Sequence, residues 1–287
     1  MPSAKAQKLI FTIAITGISC ALVLRDRLLG RIGRAARASE PDAIATRHTI
    51  SSGGNLLDAV LVRPASGPAQ SVLLICHGIG ETVEHWLPAQ QLLAANGAAS
   101  LVFDYSGYGR STGRIDAIQC EEDAVAAFRF LQLQMPSAVI SVLGFSLGSG
   151  IAAAIISRVE ASRLVLGAAF TSFREAACSI AVPRRLAFAV PPLWHAEEAL
   201  RNCSIPVLII HGEKDRLFPV EMASRLHAYC GDKAELIVVP ELSHNEPFYR
   251  PHLSYWAFIL SWLASDGGAA PDIDPSAIHL PSAIHLN

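Results

Sequence analysis

The spacing of apolar positions changes character at about residue 44. Beyond it, short unbroken runs of Val, Ile and Leu alternate with longer stretches in which apolar residues recur every three or four positions. A parallel strand covered on both faces requires the first pattern, and an amphipathic helix requires the second. Strands are expected at 47–51, 56–63, 72–76, 99–103, 139–143, 163–168, 207–210 and 236–239. Helices are expected at 84–96, 116–134, 147–159, 220–229 and 251–264. This alternation predicts an α/β fold, a mostly parallel eight-stranded doubly wound sheet that opens with an antiparallel pair.

Two stretches break the rhythm. Residues 172–203 carry Pro183, Phe188, Pro191, Pro192, Leu193 and Trp194 between two strands. That is too long for an ordinary connection in this class, so it is expected to be a small helical insertion folding over the site as a lid. The tail 266–287 is rich in Gly, Pro and Asp, repeats one hexapeptide at 275–280 and 281–286, and is expected to be flexible. The domain proper is therefore 41–265.

The first 40 residues differ from the rest. An uncharged apolar run spans 9–24, a little short of the ~20 residues of a spanning helix. Lys5 and Lys8 precede it, and Arg25, Arg27, Arg31, Arg34 and Arg37 follow. No small-residue cleavage site lies close behind the run, and Gly17-Ile18-Ser19 before Cys20 makes a poor lipobox. A retained membrane anchor with its arginines along the headgroups is the expectation, the alternative being an N-terminal helix packed on the domain. The charge asymmetry favours a cytoplasmic catalytic domain.

Composition narrows the function. Hydrophobic residues make up 51% and charged ones 17%, enough for a large core in one domain. A net charge of -2, with no basic run interleaved with aromatics, gives no reason to expect nucleic acid. The six cysteines are scattered and form no CxxC pair, so they read as structural thiols rather than a disulfide framework or metal site.

The pattern Gly-x-Ser-x-Gly occurs twice. Gly109-Arg110-Ser111-Thr112-Gly113 lies in a Gly-rich loop. Gly144-Phe145-Ser146-Leu147-Gly148 directly follows one expected strand and runs into an expected helix. A nucleophilic serine needs that strand–turn–helix setting, where a strained turn projects its hydroxyl at the carboxyl end of the sheet. Ser146 is the expected nucleophile and Ser111 a polar loop residue. The base and its orienting acid should follow the serine in the chain. Asp215 lies beyond the strand at 207–210 and His244 beyond the one at 236–239, so the triad is read as Ser146, Asp215 and His244. Glu213 is the reserve acid. Asp104 precedes the serine and is expected to anchor its own loop, and His211 is given a structural role. His252, His279 and His285 read as surface residues. The strand at 72–76 runs into His77-Gly78-Ile79-Gly80, and the amides of Ile79 and Leu147 are the expected oxyanion-hole donors. His77 is expected to bond within the turn.

These motifs, with Asp104-Tyr105-Ser106-Gly107-Tyr108-Gly109, Phe170-Thr171-Ser172-Phe173 and Ser243-His244-Asn245, resemble the α/β-hydrolase superfamily, most closely its BEM46- and ABHD-type members. The likeness covers about residues 45–265. It implies an acyl hydrolase with no cofactor and no metal, often membrane-associated, acting on lipid-like esters or thioesters. The same triad and oxyanion donors follow from it. The stretch 81–86 lacks the Asn-Ala common after His-Gly in such proteins. Trp86, Phe188 and Trp194 are the expected substrate contacts, with core packing the alternative. A serine peptidase and a non-catalytic binding protein on the same fold stay open, and nothing fixes the oligomeric state.

Overall fold

The computed structural model describes residues 43–180, 182–249 and 253–265. The expected anchor at 9–24, its arginines and the tail at 266–287 lie outside them. No helix among the described residues is long and apolar enough to cross a membrane.

Eight strands form one sheet: β1 (Ala43–Ser52), β2 (Asn55–Pro64), β3 (Ser71–Cys76), β4 (Ala98–Phe103), β5 (Ile140–Phe145), β6 (Leu164–Gly167), β7 (Val207–Gly212) and β8 (Ala234–Val239). Their order is β1-β2-β4-β3-β5-β6-β7-β8. β2 pairs antiparallel with β1 and β4, and every pairing from β4 to β8 is parallel. The helices are α1 (Val83–Ala95), α2 (Ala117–Gln134), α3 (Leu147–Ile155), α4 (Phe173–Ile180), α5 (Ala196–Arg201), α6 (Val220–Cys230), α7 (Glu246–Tyr249) and α8 (Leu253–Ala264).

The unbroken apolar runs are explained by two cores, one on each face. Val72, Leu74 and Cys76 of β3 face the core shared with α2, α3 and α6, while Leu73 and Ile75 face the one shared with α1 and α8. Alternation at period two feeds both faces, and each fully buried aliphatic side chain contributes roughly 1.5–3 kcal/mol. One helix boundary departs from expectation. α3 stops at Ile155 and its last turn tightens to a 3-10 helix, Ile156–Arg158. Of the helix expected at 251–264, the described part is α8 from Leu253, and the short α7 lies before it. Between β6 and β7, the irregular stretch carries α4, a 3-10 turn at Arg184–Ala189, and α5.

Candidate active site

The turn between β5 and α3 sets the geometry. Ser146 has φ 52 and ψ -118, a conformation that costs about 1–3 kcal/mol in a residue with a side chain. Neighbouring bonds hold it there. Its N–H donates to Gly167 O of β6 at 2.9 Å, and its carbonyl accepts from Ser149 N at 2.9 Å and Ser149 Oγ at 2.7 Å. The flanking glycines are needed for close approach. A Cβ on Gly148 would sit 1.9 Å from Cys76 O, and one on Gly144 would sit 2.4 Å from Gly148 O.

The loops after β7 and β8 are laced together. Glu213 N donates to Val239 O and Lys214 N to Leu242 O, both at 3.0 Å. This brings Asp215 to His244. Asp215 Oδ1 accepts from Leu217 N and Phe218 N at 2.9 Å each, which fixes its rotamer. Its Oδ2 accepts from His244 Nδ1 at 2.7 Å, and His244 Nε2 lies 2.9 Å from Ser146 Oγ. With the Nδ1 proton committed to the carboxylate, Nε2 is left as the acceptor for the serine hydroxyl. The structure thus brings Ser146, His244 and Asp215 into one hydrogen-bonded chain, and all three are buried.

Burial by itself would raise the Asp215 carboxyl. The bond and charge attraction from His244 and the Phe218 N–H outweigh it and hold the group below its ordinary value. A buried carboxylate kept ionised is what a histidine gaining positive charge requires. Phe145 and Phe218 pack on His244 with ring centroids at 5.6 and 5.2 Å, and Phe170 stands behind Phe218 at 5.5 Å. The sequence reading missed these aromatics as site residues. Only the position of Phe218, three residues past the acid, could have pointed to it.

Leu147 is the first residue of α3, so its amide is among the N–H groups a helix leaves without an internal acceptor. Ile79 is half-buried in the turn after β3. His77 bonds within that turn, its Nδ1 donating to Gly78 O at 2.8 Å, and burial pushes it down to about 4. Its Nε2, buried without a hydrogen-bond partner, faces Asp104 Oδ1 at 3.7 Å. Asp104 holds its own loop and the start of α1, accepting from Arg110 N and Val83 N, and burial pushes its carboxyl up to about 6. Glu213 is exposed. His211 is buried, its Nε2 donating to Phe218 O at 2.9 Å and standing 3.4 Å from Asp215 Oδ2, so it braces the acid's loop.

The three expected substrate contacts have different surroundings. Trp86 is fully buried against Phe145 and Trp256 in the core between the sheet, α1 and α8, because its large ring fills that layer. Trp194 packs edge-on against Phe173 and donates to Glu121 of α2 at 3.0 Å. It lines a cleft of about 660 Å³ with Glu121, Ala153 and His195, and Ser146 and His244 are not among the lining residues. Phe188 stands on the 3-10 turn with 71% of its surface exposed. The reason is common to both tryptophans: apolar bulk in sequence does not distinguish packing from binding.

A sharply turned serine after the fifth strand, with a carboxylate and a histidine on the loops after the seventh and eighth, matches the arrangement of the α/β-hydrolase fold. Sequence comparison agrees, since the family profile described as alpha/beta hydrolase fold matches residues 71–177. Among α/β-hydrolases the chain is similar to the BEM46 and ABHD12 proteins. It is 26% identical over 204 residues to bem46 of Schizosaccharomyces pombe, covering 66% of this chain and 67% of that protein. With the lysophosphatidylserine lipase ABHD12 of Danio rerio it shares 24% over 219 residues, covering 67% and 57%. An uncharacterized protein of Mycobacterium tuberculosis is 32% identical over 190 residues, and the match spans 63% of this chain and 64% of that protein's length. An esterase of Pyrococcus furiosus superposes with a TM-score of 0.60 at 19% identity, covering 82% of this chain and 96% of the other, which bears on the fold alone.

Proposed function

We propose that this protein is a serine hydrolase that cleaves carboxylic ester or thioester bonds of lipid-like acyl substrates through an acyl-enzyme. The observation that carries the reading is His244, bridging Ser146 at 2.9 Å and Asp215 at 2.7 Å. His244 takes the hydroxyl proton as Ser146 Oγ attacks the carbonyl carbon. The amides of Leu147 and Ile79 receive the oxyanion, and His244 returns the proton to the departing alkoxide or thiolate. Water then repeats the sequence on the acyl-enzyme and frees the acid. The chemistry is complete with side chains and backbone amides.

A lipid-like substrate is supported by likeness to a protein named lysophosphatidylserine lipase and by the aromatic wall of Phe145, Phe170 and Phe218 around the base. The apolar run at 9–24 with its trailing arginines supports anchorage at a membrane, the segment 172–203 acting as the lid. Hydrolysis of p-nitrophenyl esters of graded acyl length by the wild-type chain and Ser146→Ala tests the reading. Serine-dependent turnover that rises with acyl length is expected. Equal rates in the two proteins, or no Ser146 labelling by a fluorophosphonate, would sink it.

A further inference from the structure

Beside the triad, one buried carboxylate has no part in the proton transfer and yet sits in the turn that carries the oxyanion donor. Glu81 is 5% exposed. Its Oε2 accepts from Gly78 N at 2.7 Å and from Trp86 Nε1 at 2.8 Å. The carboxylate lies so close to the Gly78 backbone that a Cβ there would stand 2.6 Å from Oε1. A carboxylate is a costly way to satisfy one indole N–H in an apolar layer, where a neutral acceptor would serve. What it does besides is grip a peptide group one residue from Ile79.

The backbone around Gly78 is held at each polar atom in turn. His77 O accepts from Tyr105 Oη at 3.1 Å, Gly78 N donates to Glu81, and Gly78 O accepts from His77 Nδ1 at 2.8 Å and from Glu81 N at 3.4 Å. A trans peptide is planar, with its C=O and N–H pointing in opposite directions. Fixing Gly78 O against the His77 ring therefore fixes the direction of the Ile79 N–H. Glu81 prevents the preceding peptide from rotating to undo that.

We infer that Glu81, oriented by Trp86, is the positioning residue of the oxyanion donor at Ile79. The inference rests on the serine-hydrolase reading above. It also gives Trp86 a part in the site that acts through Glu81 rather than through substrate.

The test uses the full chain and three variants, Glu81→Ala, Glu81→Gln and Trp86→Phe, with a short p-nitrophenyl ester and a trifluoromethyl ketone that mimics the tetrahedral oxyanion. Loss of an oxyanion donor costs ~10²–10³ in kcat, so a donor left in place but misdirected should cost about 10- to 100-fold. Glu81→Ala is expected to lose that much kcat at unchanged KM, and to weaken ketone binding by the same factor. Glu81→Gln, which keeps an acceptor for Gly78 N, should fall between it and the wild type, and Trp86→Phe should lose least. If Glu81→Ala does not fold, the other two variants carry the test. A folded Glu81 variant with wild-type kcat and ketone affinity would overturn the inference. So would a rise in KM with ketone affinity preserved, which would make Glu81 a substrate contact. A wild-type chain inert to ester and unlabelled at Ser146 would overturn the hydrolase reading and this inference together.

Discussion

Two loops of this molecule carry the same spaced pattern of glycine and serine and use it in opposite ways. At Ser111 the hydroxyl is consumed by the backbone: Oγ donates to Asp104 O at 2.6 Å and accepts from Asp58 N at 2.9 Å. The neighbouring Thr112 fastens the same loop to β2, through Thr112 N to Leu56 O and Leu56 N to Thr112 Oγ1. At Ser146 the backbone is held by its neighbours and the hydroxyl is left to face His244. A serine motif acquires chemistry from what precedes and follows it, because only a strand running straight into a helix through a strained turn turns the hydroxyl toward a base.

Ser146→Ala should break the comparison most strongly. Ester hydrolysis is expected to fall by about 10⁴-fold or more, worth ~5.5 kcal/mol of barrier, with the melting temperature within a few degrees of wild type. A residual rate within tenfold would place the nucleophile elsewhere. Gly148→Ala should come next. Its new methyl meets a backbone carbonyl 1.9 Å away at the end of β3, which can yield only by moving the turn that carries Ile79. A loss of about 3 kcal/mol in denaturant unfolding is expected, with activity falling alongside. Wild-type stability there would mean that the close packing of the turn is not what the glycine serves.

The sheet and the juxtaposition of Ser146, His244 and Asp215 are legible in the sequence for one physical reason. Strands buried on both faces must be continuously apolar, and Ser146 follows such a strand directly, while Asp215 and His244 lie in the short loops after the strands that end at Gly212 and Val239. Side-chain destinations were less legible. Trp86 and Trp194 read as substrate contacts because both are large and apolar, one in the stretch after the third strand and one in the lid segment, but Trp86 packs in the core behind Phe145 and α2 captures Trp194. Nothing in the sequence marks Glu81, because a carboxylate in a Gly-rich turn looks like any solvated acid until Trp86 folds back onto it. The short α7 had no periodic signal, being a single turn.

The loops meet at His77 and Asp104, and the pH dependence of stability should show it. Burial pushes His77 down to about 4, while its unfolded value is near 6.5. The unfolded chain therefore takes up a proton below 6.5 that the folded one refuses, so stability from this group is present above 6.5 and lost as pH falls toward 4. Asp104, pushed up to about 6 by burial, acts in the opposite sense: the folded state takes the proton first, and stability is gained as pH falls through 6. Their effects largely offset each other in the wild type. His77→Asn removes the losing term, so between pH 7 and 5 the variant should gain about 2 kcal/mol relative to wild type in urea unfolding. Parallel pH profiles for the two proteins would show that His77 titrates normally in the fold.

Ser111→Ala is the smallest effect and the sharpest control on the comparison. The change strips a donor from Asp104 O and an acceptor from Asp58 N, beside a Ser111 that is itself only half-buried. The expected cost is about 1 kcal/mol of stability, the net worth of an ordinary hydrogen bond, with kcat within twofold of wild type. Asp104 keeps its bonds to Val83 N and Arg110 N in the variant, so the support it lends the start of α1 should survive. A fall in kcat of tenfold or more, with stability changed by only that kilocalorie, would mean that the loop at 109–113 reaches the reaction and not only the fold. Ser111 would then have to be counted with the site, and the contrast between the two serines would be one of degree.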